Sequence, residues 1–448
     1  MSGDSLSPPA SSPASYPANT PAPYPTPSPT SSPTLFIRLS IAILFLIIPL
    51  LALPSSGWAQ VVIGQYVDEA PVRTWNNIGV LTGPALGMGE TQFTLARDSS
   101  VALTNPALLS RLPKFSVSLS GSAMRATLQK YSLINTGAVT TRGTPDVGIF
   151  ALDYAGASFR LKRFTFALSI ALLEYYYRPG VRVDSEFEGN LYHRLVFNQD
   201  GALGTINLAV AYRINDRLSV GIGANFVGGD LDKSVDERYY VSEITQEDKD
   251  SSEYTGFYVN GGVVYDVSDR LTVAAMVRTP YTKKAVSESL IRYESNYVEV
   301  KTEAKADDNT YKQPLVAGMG VKYKLSDRLL VASDLTYFDW SSYAVTYFEE
   351  ELDRDFRDIV KVSTGGEFWG AFQLFGKEWR YPLRIGFTYD PQPMKDPNIH
   401  YLYLSVGMGL EVGRFALDVS SMFGKEYGSG DSLNAQKVVL TLSYRINK

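Results

Sequence analysis

The sequence predicts an all-β protein: a 14-stranded antiparallel transmembrane β-barrel with an N-terminal hatch, or plug. Three observations support this prediction. A turn pattern occurs three times, apolar and polar residues alternate over most of the chain, and a glycine-rich segment precedes both. The chain has 448 residues, of which 45% are hydrophobic and 12% aromatic. This length suggests several soluble domains, but an all-β barrel can be equally long as a single unit.

A nine-residue pattern marks three tight turns. It occurs at 212–220, 265–273 and 323–331, each time with Asn-Asp or Ser-Asp at its centre. Asn, Asp and Ser bond to the backbone of a turn, while the flanking Tyr, Ile, Val and Leu favour strands. The spacing of the copies leaves room for one strand up, a longer loop and one strand down. The first half of the pattern returns at 444–448, so we expect the C-terminus on the short-turn side.

Apolar and polar residues alternate from Phe115 onward. In 218–226, Leu, Val, Ile, Ala and Phe occupy every second position, with small or polar residues between them. Isolated charges such as Arg213, Asp334 and Asp418 lie on the polar faces. A sandwich would expose these faces to bulk water, whereas a membrane barrel turns them into a wet lumen. Fourteen strands are predicted, at 115–127, 146–161, 163–177, 203–214, 217–229, 255–266, 270–286, 313–325, 328–347, 358–374, 380–390, 400–412, 414–423 and 436–446.

The predicted connections differ between the two ends of the barrel. Tight turns alternate with long connections, several of them strongly charged, such as 230–253 and 349–358. Long polar loops outside and tight turns in the periplasm are the outer-membrane arrangement. Past residue 60, no stretch of about 20 apolar residues offers a spanning helix. The sequence therefore predicts a bacterial outer-membrane protein.

Residues 1–59 are predicted to lie outside the fold. Residues 1–34 contain ten of the 24 prolines, a composition that cannot bury a core. Arg38, an apolar run over 39–53 and small residues ahead of Gln60 form a secretory signal pattern, with a signal-anchor helix as the alternative. The long leader suggests a start codon assigned too early, with an uncleaved Pro-rich extension as the alternative.

Residues 60–112 are predicted to form the hatch, and residues 113–448 the barrel. The hatch segment does not alternate and contains several glycines. A piece of about 50 residues cannot easily bury a core of its own. We therefore expect it to lie inside the barrel, with a periplasmic tail as the alternative.

The order of these pieces resembles the FadL family of long-chain fatty-acid transporters. In that family a glycine-rich hatch ends in Asp-x-x-x-x-x-x-Asn-Pro-Ala ahead of a fourteen-stranded barrel, and the segments 334–343 and 384–393 resemble two of its strand motifs. The chain departs from the family where 228–254 is charged rather than hydrophobic, and where it ends in Asn-Lys rather than an aromatic residue. The matching hatch positions are Asp98, Asn105, Pro106 and Ala107.

The resemblance implies passive transport of a hydrophobic small molecule, a fatty acid or hydrocarbon. We expect no enzymatic activity, because the chain has only two histidines and no recognisable catalytic constellation. The ligand would bind beneath the loops and leave through the barrel wall into apolar surroundings. Arg178, Pro179 and Gly180 mark a possible lateral opening, because Pro cannot donate to a ladder and Gly weakens it. The alternative is that they begin an outer loop. A secretion-shuttle or surface-scaffold role is the alternative function. We expect the protein to be a monomer that contacts outer-membrane lipid and lipopolysaccharide.

The sequence predicts no cofactor, no metal site and no nucleic-acid partner. The absence of cysteine excludes thiolate metal sites, and 42 Lys and Arg against 47 Asp and Glu do not suggest nucleic acid binding. The two histidines, His193 and His400, are interpreted as solvated rather than catalytic. One acidic cluster could meet divalent cations at a lipopolysaccharide surface, with a solvated loop as the alternative. Its members are Asp230, Asp232, Asp236 and Glu237.

Overall fold

The computed structural model describes seven stretches of the chain. These are residues 79–127, 139–143, 146–176, 178–352, 354–396, 398–428 and 434–446. The predicted leader and signal, residues 60–78 and the last two residues lie outside the described residues. No described helix is long and apolar enough to cross a membrane.

Twenty strands form a single sheet with antiparallel pairing throughout the described residues. They are β1 (Phe115–Thr127), β2 (Val139–Gly143), β3 (Asp146–Leu161), β4 (Phe164–Tyr175), β5 (Arg178–Phe187), β6 (Asn190–Arg213), β7 (Leu218–Tyr239), β8 (Ile244–Asp266), β9 (Leu271–Arg278), β10 (Tyr281–Glu294), β11 (Glu299–Gln313), β12 (Val316–Lys324), β13 (Leu329–Phe338), β14 (Ala344–Tyr347), β15 (Glu350–Leu352), β16 (Ile359–Leu374), β17 (Lys377–Pro391), β18 (His400–Val412), β19 (Phe415–Tyr427) and β20 (Asn434–Ile446). Short helices are α1 (Gly83–Gly87), α2 (Val101–Thr104) and the 3-10 helices Pro106–Arg111 and Trp340–Ser342.

Fourteen wall strands close the barrel, as the alternation predicts. β9 and β10 together make one wall strand, and so do β12 and β11; each is interrupted by a proline, Pro280 or Pro314, which cannot donate to the ladder. β2, β5, β14 and β15 belong to the connections between wall strands. The last strand returns to the first, with Phe115 opposite Ile446, so the sheet has no free edge there.

The repeated pattern forms the short turns at the end of the barrel where β1 begins and β20 ends. Asn215 Oδ1 accepts the backbone N–H groups of Arg217 and Leu218 at 2.9 and 2.8 Å. Ser268 Oγ does the same for Arg270 and Leu271 at 3.3 and 3.1 Å. These side-chain bonds replace backbone partners that a tight turn lacks. The last strand, β20, ends on this short-turn side, as predicted.

The outward face of the wall carries an apolar band between aromatic residues, as β17 illustrates. Its outward side chains run from Trp379 and Tyr381 through Leu383, Ile385 and Phe387 to Tyr389, while the inward side chains at 384, 388 and 390 are buried. At about 3.3 Å per residue and a strand tilt near 40°, the distance from Trp379 to Tyr389 corresponds to about 25 Å along the barrel axis. This height matches a bilayer's hydrocarbon band, so these strands are membrane-spanning.

The prediction of a loop at 230–253 is wrong. Most of this segment is a β-hairpin in which Asp230 pairs with Glu253 and Tyr239 with Ile244. The connection predicted at 178–202 likewise contains β5 and the start of β6. Both faces of these outer strands meet water, so their side chains lack the apolar–polar contrast that reveals a strand. The wall therefore extends well beyond the membrane band on this side of the barrel.

Candidate functional site

The described part of the hatch, residues 79–112, fills the lumen. Almost all of it is buried, and Leu86, Leu108 and Leu109 have no more than 1% of their surface exposed. These leucines belong to one buried cluster that also contains inward side chains of the wall, such as Val439. The described hatch residues thus share one core with the barrel.

Asp98, the first position of the hatch motif, holds two parts of the hatch together. Its carboxylate accepts the Thr82 hydroxyl at 2.8 Å and the backbone N–H of Ser100 at 2.9 Å. Next to it, the Ser99 hydroxyl accepts a 2.9 Å bond from the Tyr154 hydroxyl of the wall. Asp98 itself is 1% exposed, so its role in the structure is internal to the plug.

Asn105, Pro106 and Ala107 form the start of a 3-10 helix that presses against the wall. Asn105 caps this helix by accepting the N–H of Ala107 at 3.2 Å, and its amide donates to the carbonyl of Phe93 at 3.0 Å. Pro106 occupies the first helical position, where a missing N–H costs nothing. A Cβ on Gly262 of the wall would lie 2.0 Å from Asn105 Oδ1, so only glycine allows this approach.

Asp334 of β13 anchors the hatch backbone. Its carboxylate Oδ2 accepts the N–H of Gln92 at 2.5 Å and that of Phe93 at 2.9 Å. Asp334 is 1% exposed. Charge-assisted hydrogen bonds of this kind are about twice as strong as neutral ones.

A chain of buried charges links the hatch to three wall strands, β16, β17 and β19. Arg97 of the hatch contacts Glu367. Glu367 accepts a 2.7 Å bond from Arg384, which in turn donates to Asp418 at 2.6 Å. The side chains of Glu367, Arg384 and Asp418 are at most 3% exposed. Since an unpaired buried charge is costly, this network fixes the position of Arg97.

A second ion cluster lies further toward the outer end of the lumen. Glu90 of the hatch lies 2.5 Å from Lys361 Nζ, and Asp390 lies 3.6 Å from the same nitrogen. Arg384 and Asp390 both belong to the segment 384–393. Arg384 is connected to Arg97 of the hatch through Glu367, and Asp390 is connected to Glu90 of the hatch through Lys361. Both segments that resemble FadL strand motifs, 334–343 and 384–393, therefore contribute residues to the network that holds the hatch.

Three asparagines on neighbouring strands form a ladder that ends on the hatch. Asn207 donates to Asn225 at 2.8 Å, and Asn225 donates to Asn260 at 2.9 Å. Asn260 then donates to the carbonyl of Ala102 at 2.9 Å. All three asparagines are fully buried. Each side-chain amide therefore donates in the same direction, from the wall toward the hatch.

The barrel wall is interrupted between β3 and β4. Their ladder runs from the turn only to the pair Tyr154 and Ala171. In the described residues, pairing between these two arms resumes only further out, where Gly143 of β2 faces Val183 of β5. Beyond the last pair, the outward Leu152 of β3 is 65% exposed.

The predicted lateral opening at Arg178, Pro179 and Gly180 lies beside this interruption. These residues begin β5, and Arg178 faces Gln199 of β6. The register with β6 shifts between Arg178 and Val181, which is the irregularity expected from a Pro-Gly pair in a strand. The segment is thus a strand on its β6 side, and it borders the gap on its other side.

Aromatic side chains fill the outer half of the lumen. One group packs around Trp340, whose ring centroid lies 5.5 Å from that of Tyr343 and 6.4 Å from that of Phe356. A second group lies on β8, β10 and β11, where the centroids of Tyr254 and Tyr311 are 5.7 Å apart. Both groups belong to the buried cluster that contains the hatch leucines.

The histidines sit in aromatic surroundings. His193 Nε2 lies 3.3 Å from Glu237, and its ring centroid lies 4.5 Å from that of Tyr239. His400 stacks on Tyr427 at 5.6 Å. Within the described part of the chain, neither histidine has a hydrogen bond to a serine, and no group of three acidic or histidine residues could hold a metal ion.

The outer strands contain both a like-charge contact and ion pairs. Asp236 lies opposite Glu247, and burial together with the Glu247 charge raises the pKa of Asp236. Asp184 of β5 accepts a 2.9 Å hydrogen bond from Arg182 and one of 2.7 Å from Arg194. The Arg182 bond, with support from Arg194, lowers the pKa of Asp184 to about 2.

The closed barrel, its apolar band and its buried hatch define a plugged β-barrel of the outer-membrane type. The sequence model of the BamG family matches residues 85–437, and the chain belongs to this family. A comparison with curated proteins finds no match.

Solved structures with the same fold include a transporter, a channel and a FadL homologue. The toluene transporter TbuX of Ralstonia pickettii is 14% identical with a TM-score of 0.58, over 83% of this chain and 99% of that one. The monoaromatic hydrocarbon channel CymD is 14% identical with a TM-score of 0.58, over 84% and 100%. A FadL homologue of Pseudomonas aeruginosa is 15% identical with a TM-score of 0.55, over 82% and 99%. The FadL-like fold that the sequence predicts is thereby confirmed.

Proposed function

We propose that this protein carries hydrophobic small molecules, fatty acids or hydrocarbons, across the bacterial outer membrane without an energy source or enzymatic step. Export by the predicted signal and function as a monomer belong to this proposal. A packed hatch excludes a simple water-filled pore, because residues 79–112 share a buried core with the wall. Support also comes from the toluene transporter TbuX and the monoaromatic hydrocarbon channel CymD, which share the fold.

The observation that carries the proposal is the interruption between β3 and β4. A hydrophobic solute gains little from entering water at the periplasmic end of a barrel. An opening in the wall lets it pass sideways into the bilayer. The outward residues at the gap are apolar, with Phe150 84% exposed and Leu152 65% exposed.

Closing this gap by a cross-link tests the lateral path. The chain contains no cysteine, so Leu152→Cys with Leu172→Cys places a pair of thiols just beyond the last ladder pair. We expect oxidation or a short thiol-reactive linker to reduce hydrocarbon uptake in cells at least tenfold, and reduction to restore uptake. The control pair, Ala155→Cys with Ile170→Cys, lies within the intact ladder. Equal uptake with the gap open and closed would refute the lateral path.

Two further measurements test transport and the plug. Mass spectrometry of lipid extracted from protein in mild detergent should find a long-chain or aromatic hydrocarbon ligand. Deletion of residues 60–104 should raise single-channel conductance in planar bilayers, because the deletion removes most of the segment that fills the lumen. A ligand-free protein, together with unchanged conductance, would contradict both parts of the proposal.

A secretion-shuttle or scaffold role is the second candidate, and the tall outer wall favours it. The outward face of this wall carries a polar groove with a cavity volume of about 920 Å³. Mixed charges line it, including an ion pair of 2.9 Å between Lys305 and Glu288. Recovery of a stoichiometric protein partner after mild solubilisation, lost when both residues are replaced by alanine, would favour this role. A monomeric, ligand-filled barrel would speak against it.

A further inference from the structure

Lys283 is a buried cation held between two aromatic rings. Its side chain is 1% exposed. The ammonium nitrogen lies 4.4 Å from the centroid of the Tyr254 ring and 4.9 Å from that of Tyr311. The two rings meet at an interplanar angle of 70°, so they form a corner that the ammonium group occupies. Cation–π contacts of this kind are strongest where water is excluded.

A carboxylate completes the site. Glu174 Oε2 lies 4.0 Å from the Lys283 nitrogen, and the Tyr176 hydroxyl donates a hydrogen bond to this carboxylate. A buried ammonium group is costly without such compensation. Two ring faces and one carboxylate are the groups with which proteins recognise an organic ammonium ion.

The wall positions the rings independently of the lysine. Tyr254 lies opposite Ala285 in the β8–β10 ladder, and Tyr311 lies opposite Lys283 in the β10–β11 ladder. Tyr254 also packs on Tyr176, with ring centroids 6.3 Å apart. The corner is therefore set by backbone pairing, and it remains when the lysine side chain is shortened.

We propose that Tyr254, Tyr311 and Glu174 form a binding site for organic ammonium groups, with Lys283 as its tethered occupant. The site accepts an ammonium group of small radius on an apolar body once the lysine is absent or displaced. It lies in the same buried cluster as the hatch, so its occupant contributes to the closed lumen. This inference goes beyond hydrocarbon transport and is tested by binding alone.

The test is a titration of the purified full-length protein in detergent with tetramethylammonium. Lys283→Ala vacates the site, and the matched control Lys284→Ala removes the neighbouring lysine, which is exposed on the opposite face of β10. Isothermal calorimetry should show at least about tenfold tighter binding to Lys283→Ala than to wild type or to the control, which corresponds to about 1.4 kcal/mol. Adding Tyr311→Leu to Lys283→Ala should abolish that gain.

A second measurement keeps the proposal testable where Lys283→Ala does not fold. In Tyr254→Leu, the loss of one ring should make Lys283 react at least about tenfold faster with an amine-labelling reagent, read by mass spectrometry. Lys284 labelling should not change. If folded Lys283→Ala binds tetramethylammonium no better than wild type, the proposal is overturned. Unchanged Lys283 labelling in Tyr254→Leu also overturns it.

Discussion

Replacing Asp334 by alanine should loosen the hatch without unfolding the barrel. The substitution removes both hydrogen bonds to the hatch, from the N–H groups of Gln92 and Phe93. Hydrogen bonds to a charged group contribute about 1.5 to 3 kcal/mol each, so the lower bound of the loss is about 3 kcal/mol. Since about 1.4 kcal/mol is a factor of ten, local opening of this hatch segment should become about a hundred times more frequent.

Hydrogen–deuterium exchange of the detergent-solubilised protein measures this opening. Peptides covering 88–96 should exchange about a hundredfold faster in Asp334→Ala, since local opening sets the exchange of buried amides. The control Asp327→Ala removes an exposed carboxylate from the short turn at the end of the same hairpin and should leave the hatch unchanged. If the hatch exchanges at the wild-type rate in Asp334→Ala, or equally fast in both variants, this account of hatch anchoring is wrong.

Two further predictions concern glycine packing and pH. Gly262→Val should displace the hatch turn and lower the barrel's melting temperature, because its Cβ would lie 2.0 Å from Asn105 Oδ1. The control Gly261→Val should be tolerated, because the atom nearest to its Cβ would be 3.7 Å away. Equal melting temperatures of the two variants would contradict this prediction. The outer hairpin formed by β5 and β6, which contains Asp184, should resist proteolysis fully above about pH 3.9 and lose resistance as the pH falls through about 2. Asp184 has its pKa lowered to about 2, so its contribution is complete above the unfolded pKa near 3.9 and is lost on protonation. Arg182→Ala should move that loss to higher pH.

The alternation pattern predicted the membrane-spanning part of the fold because each strand there has one apolar and one polar environment. The limits of β1, β3 and β18 agree with the predicted ranges. The alternation disappears where that physical contrast ends. Residues 230–253 pair as strands in water on both faces, and their charges give the composition of a loop.

The candidate site was only partly visible in the sequence. The inward charges Asp334 and Asp418 stood out as isolated charges on a polar strand face. The hatch partners of Asp334 could not be read from the sequence, because they lie 242 and 241 residues away along the chain. Asn260 gave no signal, since a lone asparagine in a strand resembles any polar lumen residue. Lys283 was hidden for a related reason: its two rings come from neighbouring strands, and only the register brings them together.

The hatch contacts strands from both halves of the sheet, and this has a consequence for assembly. Tyr154 of β3, which donates a 2.9 Å bond to the Ser99 hydroxyl, is made early in the chain, whereas Thr441 of β20, which accepts a 2.8 Å bond from the N–H of Gly83, is made last. The complete set of hatch contacts can exist only when the first and last strands have met. Burial of the hatch and closure of the sheet therefore depend on each other. A barrel with a different number of strands could not satisfy all the hatch contacts, so the hatch selects for the correct circumference during folding.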